Sequence, residues 1–234
     1  MNLLNRLRER ARQEGIAKMI QYIGWAGYDS LRCLARDAAF DLTYSGGLLN
    51  NCKTLYKHLG ANDVYHSDYD ALKLIFQFCS PINDQDVLVD VGCGKGRVIN
   101  YWLSQAVKNR IIGLEIDPQI AEQTAKQFAR WPNVNVAPGD AIANLPSDGT
   151  LFYFYNPFAH EKVAEFECRL RGLSNNRPVR VVYYNPKSLD VFNSEYWDIE
   201  HIDFEQDLGV KRWGRINKFH DLALLHRKPI GKIT

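Results

Sequence analysis

The run VLVDVGCGKGRV, residues 87–98, combines an acidic residue with three glycines at every second position. Its apolar residues predict a buried parallel strand that ends near Asp90. Gly92, Gly94 and Gly96 then predict a tight turn into a helix, where the backbone must approach a ligand too closely for any Cβ atom. An acid at the end of a strand and glycines in the following turn together suit a nucleoside ligand.

The spacing of these glycines separates three kinds of ligand-binding loop. A phosphate-cradling loop requires GxxxxGK[ST], but Gly92 and Gly94 are too close together and Lys95 is followed by Gly96. A dinucleotide fingerprint requires GxGxxG, and here the third glycine arrives one residue early. The remaining loop type, DxGxGxG, is the one that the chain matches.

A second apolar run also ends in an acid. Residues 111–116 lead to Glu115, which lies 23 residues past Gly92 and is followed by Asp117 and Pro118. A carboxylate at the end of the second strand can accept hydrogen bonds from both ribose hydroxyls. Because nicotinamide dinucleotide (NAD) sites share this arrangement, Glu115 indicates a nucleoside ligand but does not identify which one.

The DxGxGxG loop of residues 90–96 closely resembles that of the class I S-adenosylmethionine (SAM) methyltransferases, and the resemblance covers residues 64–228. It implies SAM as the cofactor, with the loop backbone against its methionine part and ribose. It also implies that Asp140, which follows an apolar stretch at 134–137, accepts a hydrogen bond from the adenine amino group.

A fourth apolar stretch, residues 151–155, leads to Asn156-Pro157-Phe158. This turn is similar to the (N/D)PP(Y/F) motif of methyltransferases that modify nitrogen, but it is one proline short. In that family the Asn or Asp side chain and a backbone carbonyl accept hydrogen bonds from the target NH2, and the aromatic ring stacks on a flat acceptor. The resemblance therefore implies that Asn156 orients the acceptor and that Phe158 forms an apolar wall. Asn-Pro alone also fits a turn that ends a strand.

The resemblance carries over to further positions of the site. The residues that it implies for cofactor binding are Asp90, Gly92, Cys93, Gly94, Gly96, Glu115, Ile116, Asp140, Ala141, Asn156 and Tyr65. Tyr65 comes from a segment that covers the pocket in related methyltransferases, and it fits a packed aromatic residue equally well. Cys93 is interpreted as a small filler residue. Lys95 and Arg97 could meet the SAM carboxylate, although residues of these types are more often solvated.

Composition excludes several classes of protein. A chain of 234 residues with 46% apolar residues can form one full α/β domain. Its net charge of +2 predicts neither a broad nucleic-acid surface nor a funnel for acidic substrates. Five scattered cysteines and six histidines without ligand spacing predict reduced thiols in a cytoplasmic protein and no metal site. We find neither a secretory signal nor an apolar run of spanning length.

The elements that position these motifs alternate. The predicted strands are 87–91, 111–116, 134–137, 151–155 and 179–184. The predicted helices are 68–78, 96–108, 118–130 and 160–172. Two late segments, 197–206 and 216–226, are predicted to form an antiparallel pair. The predicted fold class is α/β: a Rossmann-like, doubly wound sheet of seven strands. The sheet is mostly parallel with an antiparallel C-terminal hairpin, and an N-terminal helical extension precedes it.

Residues 1–63 are predicted to form that extension, and residues 64–234 the methyltransferase domain. Leu3, Leu4, Leu7 and Ala11 recur at helical spacing among arginines. Such a helix could lie on an anionic membrane, or pack on the domain or on a second subunit; the short apolar stripe and the acidic residues among the arginines favour packing. Residues 16–40 continue as helix, with Gly24 and Gly27 expected to break it.

These features predict a SAM-dependent methyltransferase that acts on an N or O nucleophile of a small molecule or glycan. The alternatives are a protein lysine or amine methyltransferase and a nonenzymatic SAM-binding subunit. A nucleic-acid acceptor is disfavoured by the charge. An NAD-dependent oxidoreductase is disfavoured by the GxGxG spacing and by Asp140.

Overall fold

The computed structural model describes residues 15–173, 178–210 and 219–229. Seven strands form one sheet, and their bounds are β1 Leu88–Val91, β2 Ile111–Glu115, β3 Val134–Pro138, β4 Leu151–Phe154, β5 Arg180–Tyr184, β6 Trp197–Ile202 and β7 Leu222–Arg227. Their order across the sheet is β3-β2-β1-β4-β5-β7-β6. The first five run parallel, whereas β7 is antiparallel to both β5 and β6. The predicted fold class is confirmed.

Helices cover both faces of this sheet. Their bounds are α1 Ile16–Tyr44, α2 Tyr69–Leu74, α3 Arg97–Ser104, α4 Pro118–Phe128 and α5 His160–Arg171. One core cluster holds Leu72 of α2, Trp102 of α3 and Phe128 of α4. A second cluster, on the other face, holds Val163 and Phe166 of α5. The sheet is therefore doubly wound, as its alternating pattern of strands and helices predicts.

The central strands are buried on both faces. All four residues of β1 and all four of β4 are buried, and neighbouring β1 residues Leu88 and Val89 belong to different core clusters. Parallel strands between two helical layers require such continuous apolar runs. Helix α4 starts at Pro118 behind Asp117, whose side chain accepts hydrogen bonds from the backbone N–H groups of Gln119 and Ile120.

Several predicted bounds differ from the observed ones. The helix predicted over 96–108 ends at Ser104, and Ala106 turns the chain with a φ of 56°. The strand predicted over 197–206 ends at Ile202. The late strand predicted from residue 216 begins at Leu222, and residues 216–218 lie outside the described residues.

The expectation that Gly24 and Gly27 break the first helix is wrong. Helix α1 runs without interruption through both, over 29 residues. A glycine inside a helix costs about 1 kcal/mol relative to alanine but keeps its backbone N–H, so it weakens the helix without ending it. The predicted helix with Leu3, Leu4, Leu7 and Ala11 lies outside the described residues.

Residues 45–67 are mostly irregular, whereas the prediction placed residues up to 63 in a helical extension. They contain one 3₁₀ turn, Lys57–Leu59, and isolated bridges that pair Cys52 with Val64 and Ala61 with Phe158. We call residues 45–67 the wrapping segment because it crosses the loop after β1 and the turn after β4. The division of the chain at residue 63 stays a prediction. Every helix among the described residues is too short or too polar to span a bilayer.

Candidate active site

A cavity opens at the carboxyl ends of β1, β2 and β4. Ten of the residues predicted for the site line it: Tyr65, Asp90, Gly92, Cys93, Glu115, Ile116, Asp140, Ala141, Pro157 and Phe158. Gly94 and Gly96 do not line it, and Asn156 instead lines a groove that adjoins it. The strand order changes direction at β1, which has β2 on one side and β4 on the other. Open α/β sheets bind ligands at such a switch point.

The glycines of the loop after β1 allow positive φ angles and close packing. Gly92 has a φ of 72° and Gly94 a φ of 52°. A Cβ atom on Gly92 would lie 2.4 Å from Cβ of Pro157, and one on Gly94 would lie 2.4 Å from Cγ1 of Val64. The sequence predicts that a ligand excludes these Cβ atoms; here protein atoms of the turn after β4 and of the wrapping segment do so.

Glu115 fixes the loop from the end of β2. One carboxylate oxygen accepts a hydrogen bond from the backbone N–H of Gly94 (2.8 Å), and the other accepts from that of Asp117 (3.0 Å). The residue is 4% exposed, and burial raises the pKa of its carboxyl group. Two carboxylate oxygens offer about four acceptor positions, so capacity for ligand hydroxyls remains.

Asp90 contributes a buried carboxyl group to the cavity. It is 2% exposed, and its Oδ2 has no hydrogen-bond partner among the described residues. Burial, together with the nearby carboxylate of Glu115, raises the pKa of Asp90 to about 8. A buried acceptor without a partner is rare in folded proteins and marks a place where a ligand donor fits.

Asp140 and Ala141 lie where the chain leaves β3. Oδ1 of Asp140 accepts a hydrogen bond from the backbone N–H of Ile142 (2.8 Å), which fixes the turn. Ala141 is buried beside it. The carboxylate of Asp140 and the apolar side chains of Ala141 and Ile142 together line one end of the cavity.

The side chain of Asn156 is engaged by its own protein. Its Nδ2 donates to the backbone carbonyl of Asn185 (2.6 Å), and its Oδ1 accepts from the hydroxyl of Tyr183 (2.9 Å). The φ of Asn156 is 44° and that of Asn185 is 56°, so each of two neighbouring strands ends in an Asn-Pro turn with a left-handed asparagine.

Asn62 of the wrapping segment fastens the same turn from outside. Its side-chain amide donates to the carbonyls of Asn156 (2.8 Å) and Phe158 (2.9 Å), and its backbone N–H donates to that of Pro157 (2.9 Å). The carbonyl groups of residues 156–158 are thus all occupied. Sequence reasoning missed Asn62 because its partners lie more than 90 positions away along the chain.

Tyr65 is 64% exposed, so it is not a packed core aromatic. It lines both the cavity and the adjoining groove, as do Tyr155, Asn62 and Asp63. Tyr155 directly precedes the Asn156 turn, and this adjacency is a signal that the sequence already contained. His160 lies at the first position of α5 with an exposed side chain.

The side chain of Arg97 is mostly buried and not solvated. Its side chain is 15% exposed and forms an ion pair with Asp41 of α1 (3.0 Å). Asp41 also accepts a hydrogen bond from the hydroxyl of Tyr69 (2.6 Å), over whose ring the guanidinium lies. Arg97 lines the cavity. Lys95 does not line it.

Comparisons with known proteins agree with this geometry. Residues 89–152 match a family model described as a methyltransferase domain. An RNA methyltransferase from Salinibacter ruber, solved with S-adenosyl-L-homocysteine, shares the fold with a TM-score of 0.50 and 17% identity, over 71% of this chain and 95% of that chain. The putative methyltransferase yhhF from Escherichia coli shares it with a TM-score of 0.50 and 15% identity, over 77% and 99%. No match is found among curated proteins.

Proposed function

We propose that the chain is a SAM-dependent methyltransferase with SAM as its methyl donor, since residues 89–152 match a methyltransferase domain and the fold is that of known methyltransferases. In our proposal the acceptor is a small molecule or glycan that presents an N or O nucleophile. The observation that carries the proposal is the groove beside the cavity, which shares Asn62, Asp63, Tyr65 and Tyr155 with it.

The cavity would hold the cofactor through the residues at the strand ends. Glu115 would accept hydrogen bonds from the ribose hydroxyls and Asp140 from the adenine amino group. Asp90 would accept from the amino group of the methionine part, because its Oδ2 is buried without a partner among the described residues. The backbone of residues 92–94 would lie against the ribose and the sulfur.

The acceptor would lie in the groove and reach the cavity between Tyr65 and Tyr155. The far side of the groove carries Asn185, Lys187 and His220. Amide, hydroxyl and ammonium groups beside tyrosine rings suit a polar molecule with several hydroxyl or amino groups. The modest net charge of +2 gives no support to a long polyanion in the same place.

The Asn156 turn would separate donor from acceptor. Bound SAM would supply a methyl group already activated on sulfur; its transfer to the lone pair of the N or O nucleophile would leave S-adenosylhomocysteine as a neutral thioether, and the proton of the nucleophile would pass to the bulk solvent. The task of the protein is to align the nucleophile with that bond and to exclude water. Pro157 and Phe158 face the cavity and Asn156 faces the groove. We therefore assign the alignment of the acceptor to these three residues. Asn156, whose side chain is fixed by its hydrogen bonds to Tyr183 and Asn185, would form one side of the groove.

The test is an acceptor screen that follows formation of S-adenosylhomocysteine from SAM. Its arms are mono- and oligosaccharides with free hydroxyl or amino groups, small amines and alcohols, lysine-containing peptides, and RNA. We expect turnover with a member of the first two arms. Turnover with peptides or RNA alone would contradict the proposal, and binding of SAM without turnover in any arm would favour a nonenzymatic SAM-binding subunit.

Two variants locate the acceptor once one is found. Lys187 lines the groove but not the cavity. Lys187→Ala should therefore raise KM for the acceptor several-fold and leave the Kd for S-adenosylhomocysteine unchanged. Lys108→Ala is the matched control, because Lys108 lines neither the groove nor the cavity. An unchanged acceptor KM in Lys187→Ala would move the acceptor out of the groove.

A further inference from the structure

Three buried polar atoms around the cavity have no hydrogen-bond partner among the described residues: Oδ2 of Asp90, Nε2 of His66 and Nε of Arg97. All three residues line the same cavity. A buried polar atom that stays unpaired destabilises a folded protein, and three such atoms belong to residues that line this one cavity. The cluster therefore points to a ligand with complementary groups.

His66 is held so that one ring nitrogen faces the cavity as an acceptor. Its backbone N–H donates to the side-chain Oδ1 of Asn51 (2.8 Å), and its imidazole hydrogen-bonds to the backbone of Asn50. Nε2 has no partner among the described residues, so a neutral ring that donates through Nδ1–H would keep its lone pair on Nε2. Burial and the charge of Arg97 lower the pKa of His66 to about 4, so the ring is neutral at physiological pH.

Arg97 presents a fixed donor beside this acceptor. Its Nη2 donates to Oδ2 of Asp41 (3.0 Å) and to the backbone carbonyl of Leu49 (3.1 Å). These bonds hold the guanidinium in place and leave Nε–H without a partner. Asp41 offsets part of the positive charge, but the N–H group still requires an acceptor.

We infer that His66 and Arg97 bind the α-amino-acid end of the cofactor. Nε–H of Arg97 donates to the carboxylate, and Nε2 of His66 accepts from the ammonium group together with Asp90. An α-amino acid carries both groups on one carbon atom, so it requires a donor and an acceptor close together. The inference deepens the proposed function, since it rests on the cavity being the cofactor site, and it makes His66 a positioning residue for the donor.

Isothermal titration with two adenosyl ligands tests this assignment. S-Adenosylhomocysteine has the amino-acid end, whereas 5′-methylthioadenosine keeps the adenosine and the thioether but lacks that end. We expect His66→Phe to weaken binding of S-adenosylhomocysteine about tenfold, the loss of one hydrogen bond to a charged group, and to leave the Kd for 5′-methylthioadenosine unchanged. His66→Gln, which supplies an amide oxygen, should restore part of the affinity.

The control is His201→Phe on the edge strand β6, where the histidine side chain is 50% exposed and does not line the cavity. It should bind both ligands like the wild type. Equal losses for both ligands in His66→Phe would assign the histidine to the scaffold, and no loss for either would remove it from the site; each result overturns the inference. A wild-type protein that binds neither ligand would overturn the cofactor cavity itself, a failure distinct from that of His66 alone.

Discussion

The cavity and the adjoining Asn156 turn differ in whether their polar groups have hydrogen-bond partners. Around the cavity, Asp90, His66 and Arg97 each keep one buried atom without a partner among the described residues. In the turn, the Asn156 side chain bonds to Tyr183 and Asn185, and the carbonyls of residues 156–158 accept from Asn62. The cavity is incomplete without a ligand, whereas the turn is complete by itself.

This difference predicts separate functions for the two regions. Unpaired buried groups destabilise the empty protein by about 1–3 kcal/mol each, and a ligand that pairs them recovers that free energy as affinity. A fully paired turn contributes rigidity and offers little new bonding. Affinity should therefore depend on the cavity, and alignment of the acceptor on the turn.

The largest expected effect is on cofactor affinity, through Glu115. Glu115→Ala removes the carboxylate that holds Gly94 and Asp117, together with the acceptors assigned to the ribose. We expect the Kd for S-adenosylhomocysteine to rise by about 100-fold or more, as for loss of two charged hydrogen bonds. Titration calorimetry measures it, with exposed Glu122→Ala on α4 as control. A change below threefold would refute the ribose role.

Packing between the two regions is tested at Gly92. A Cβ there would lie 2.4 Å from Pro157, at a φ of 72°, whereas Gly209 has a similar φ of 63° with open space around it. Gly92→Ala should lower the free energy of unfolding by about 2–4 kcal/mol, and Gly209→Ala by only about 1 kcal/mol. Urea unfolding measures both. Equal losses would mean that φ strain, and not the contact with Pro157, determines the requirement for glycine.

Asn156→Ala tests whether the turn contributes to stability and turnover without contributing to cofactor affinity. It leaves the hydroxyl of Tyr183 and the carbonyl of Asn185 each short of a partner, so we expect a loss of about 1–2 kcal/mol in stability. Turnover should fall steeply while the Kd for S-adenosylhomocysteine stays within twofold. Thermal unfolding and titration check these outcomes. A large loss of cofactor binding would show that the turn also supports the cavity.

A separate effect, on the pH dependence of stability, is expected from Asp90. Burial raises its pKa from 3.8 to about 8 in the folded protein, so the folded state binds more protons than the unfolded state between these values. The contribution of Asp90 to stability is therefore present below pH 3.8 and is lost as the pH rises through about 8. Asp90→Asn should flatten the stability curve between pH 5 and 8 by about 1 kcal/mol or more. If the free energy of unfolding depended on pH equally in the variant and the wild type, the raised pKa of Asp90 would be contradicted.

The strands and the cavity-lining acids were predictable because their signals are local. A central parallel strand is buried on both faces, so residues 87–91 and 111–116 read as apolar runs, and Asp90 and Glu115 follow from where those runs end. The glycine loop was recognisable for the same reason. What excludes its Cβ atoms was not, since Pro157 and Val64 come from distant parts of the chain.

The paired polar groups were not predictable in this way. Arg97 and Asp41 are 56 positions apart, and nothing in the composition around either one indicates the other. Likewise the motif at residues 156–158 suggests a free amide, and only the hydroxyl of Tyr183 and the carbonyl of Asn185 determine where that amide points. Asparagine fits both a ligand contact and a turn, so the residue type alone leaves its role open.

The order of strands has a consequence for folding during synthesis. Within the described sheet, β6 is hydrogen-bonded to β7 alone, and β7 lies between β5 and β6 although it comes later in the chain. The segment of β6 therefore leaves the ribosome before the strand that attaches it to the sheet, and its Trp197 stays without its strand partner Arg227 until β7 arrives. The parallel part of the sheet, which carries the cavity, can assemble earlier, so a nascent chain can form this cavity while the edge of its sheet is unfinished.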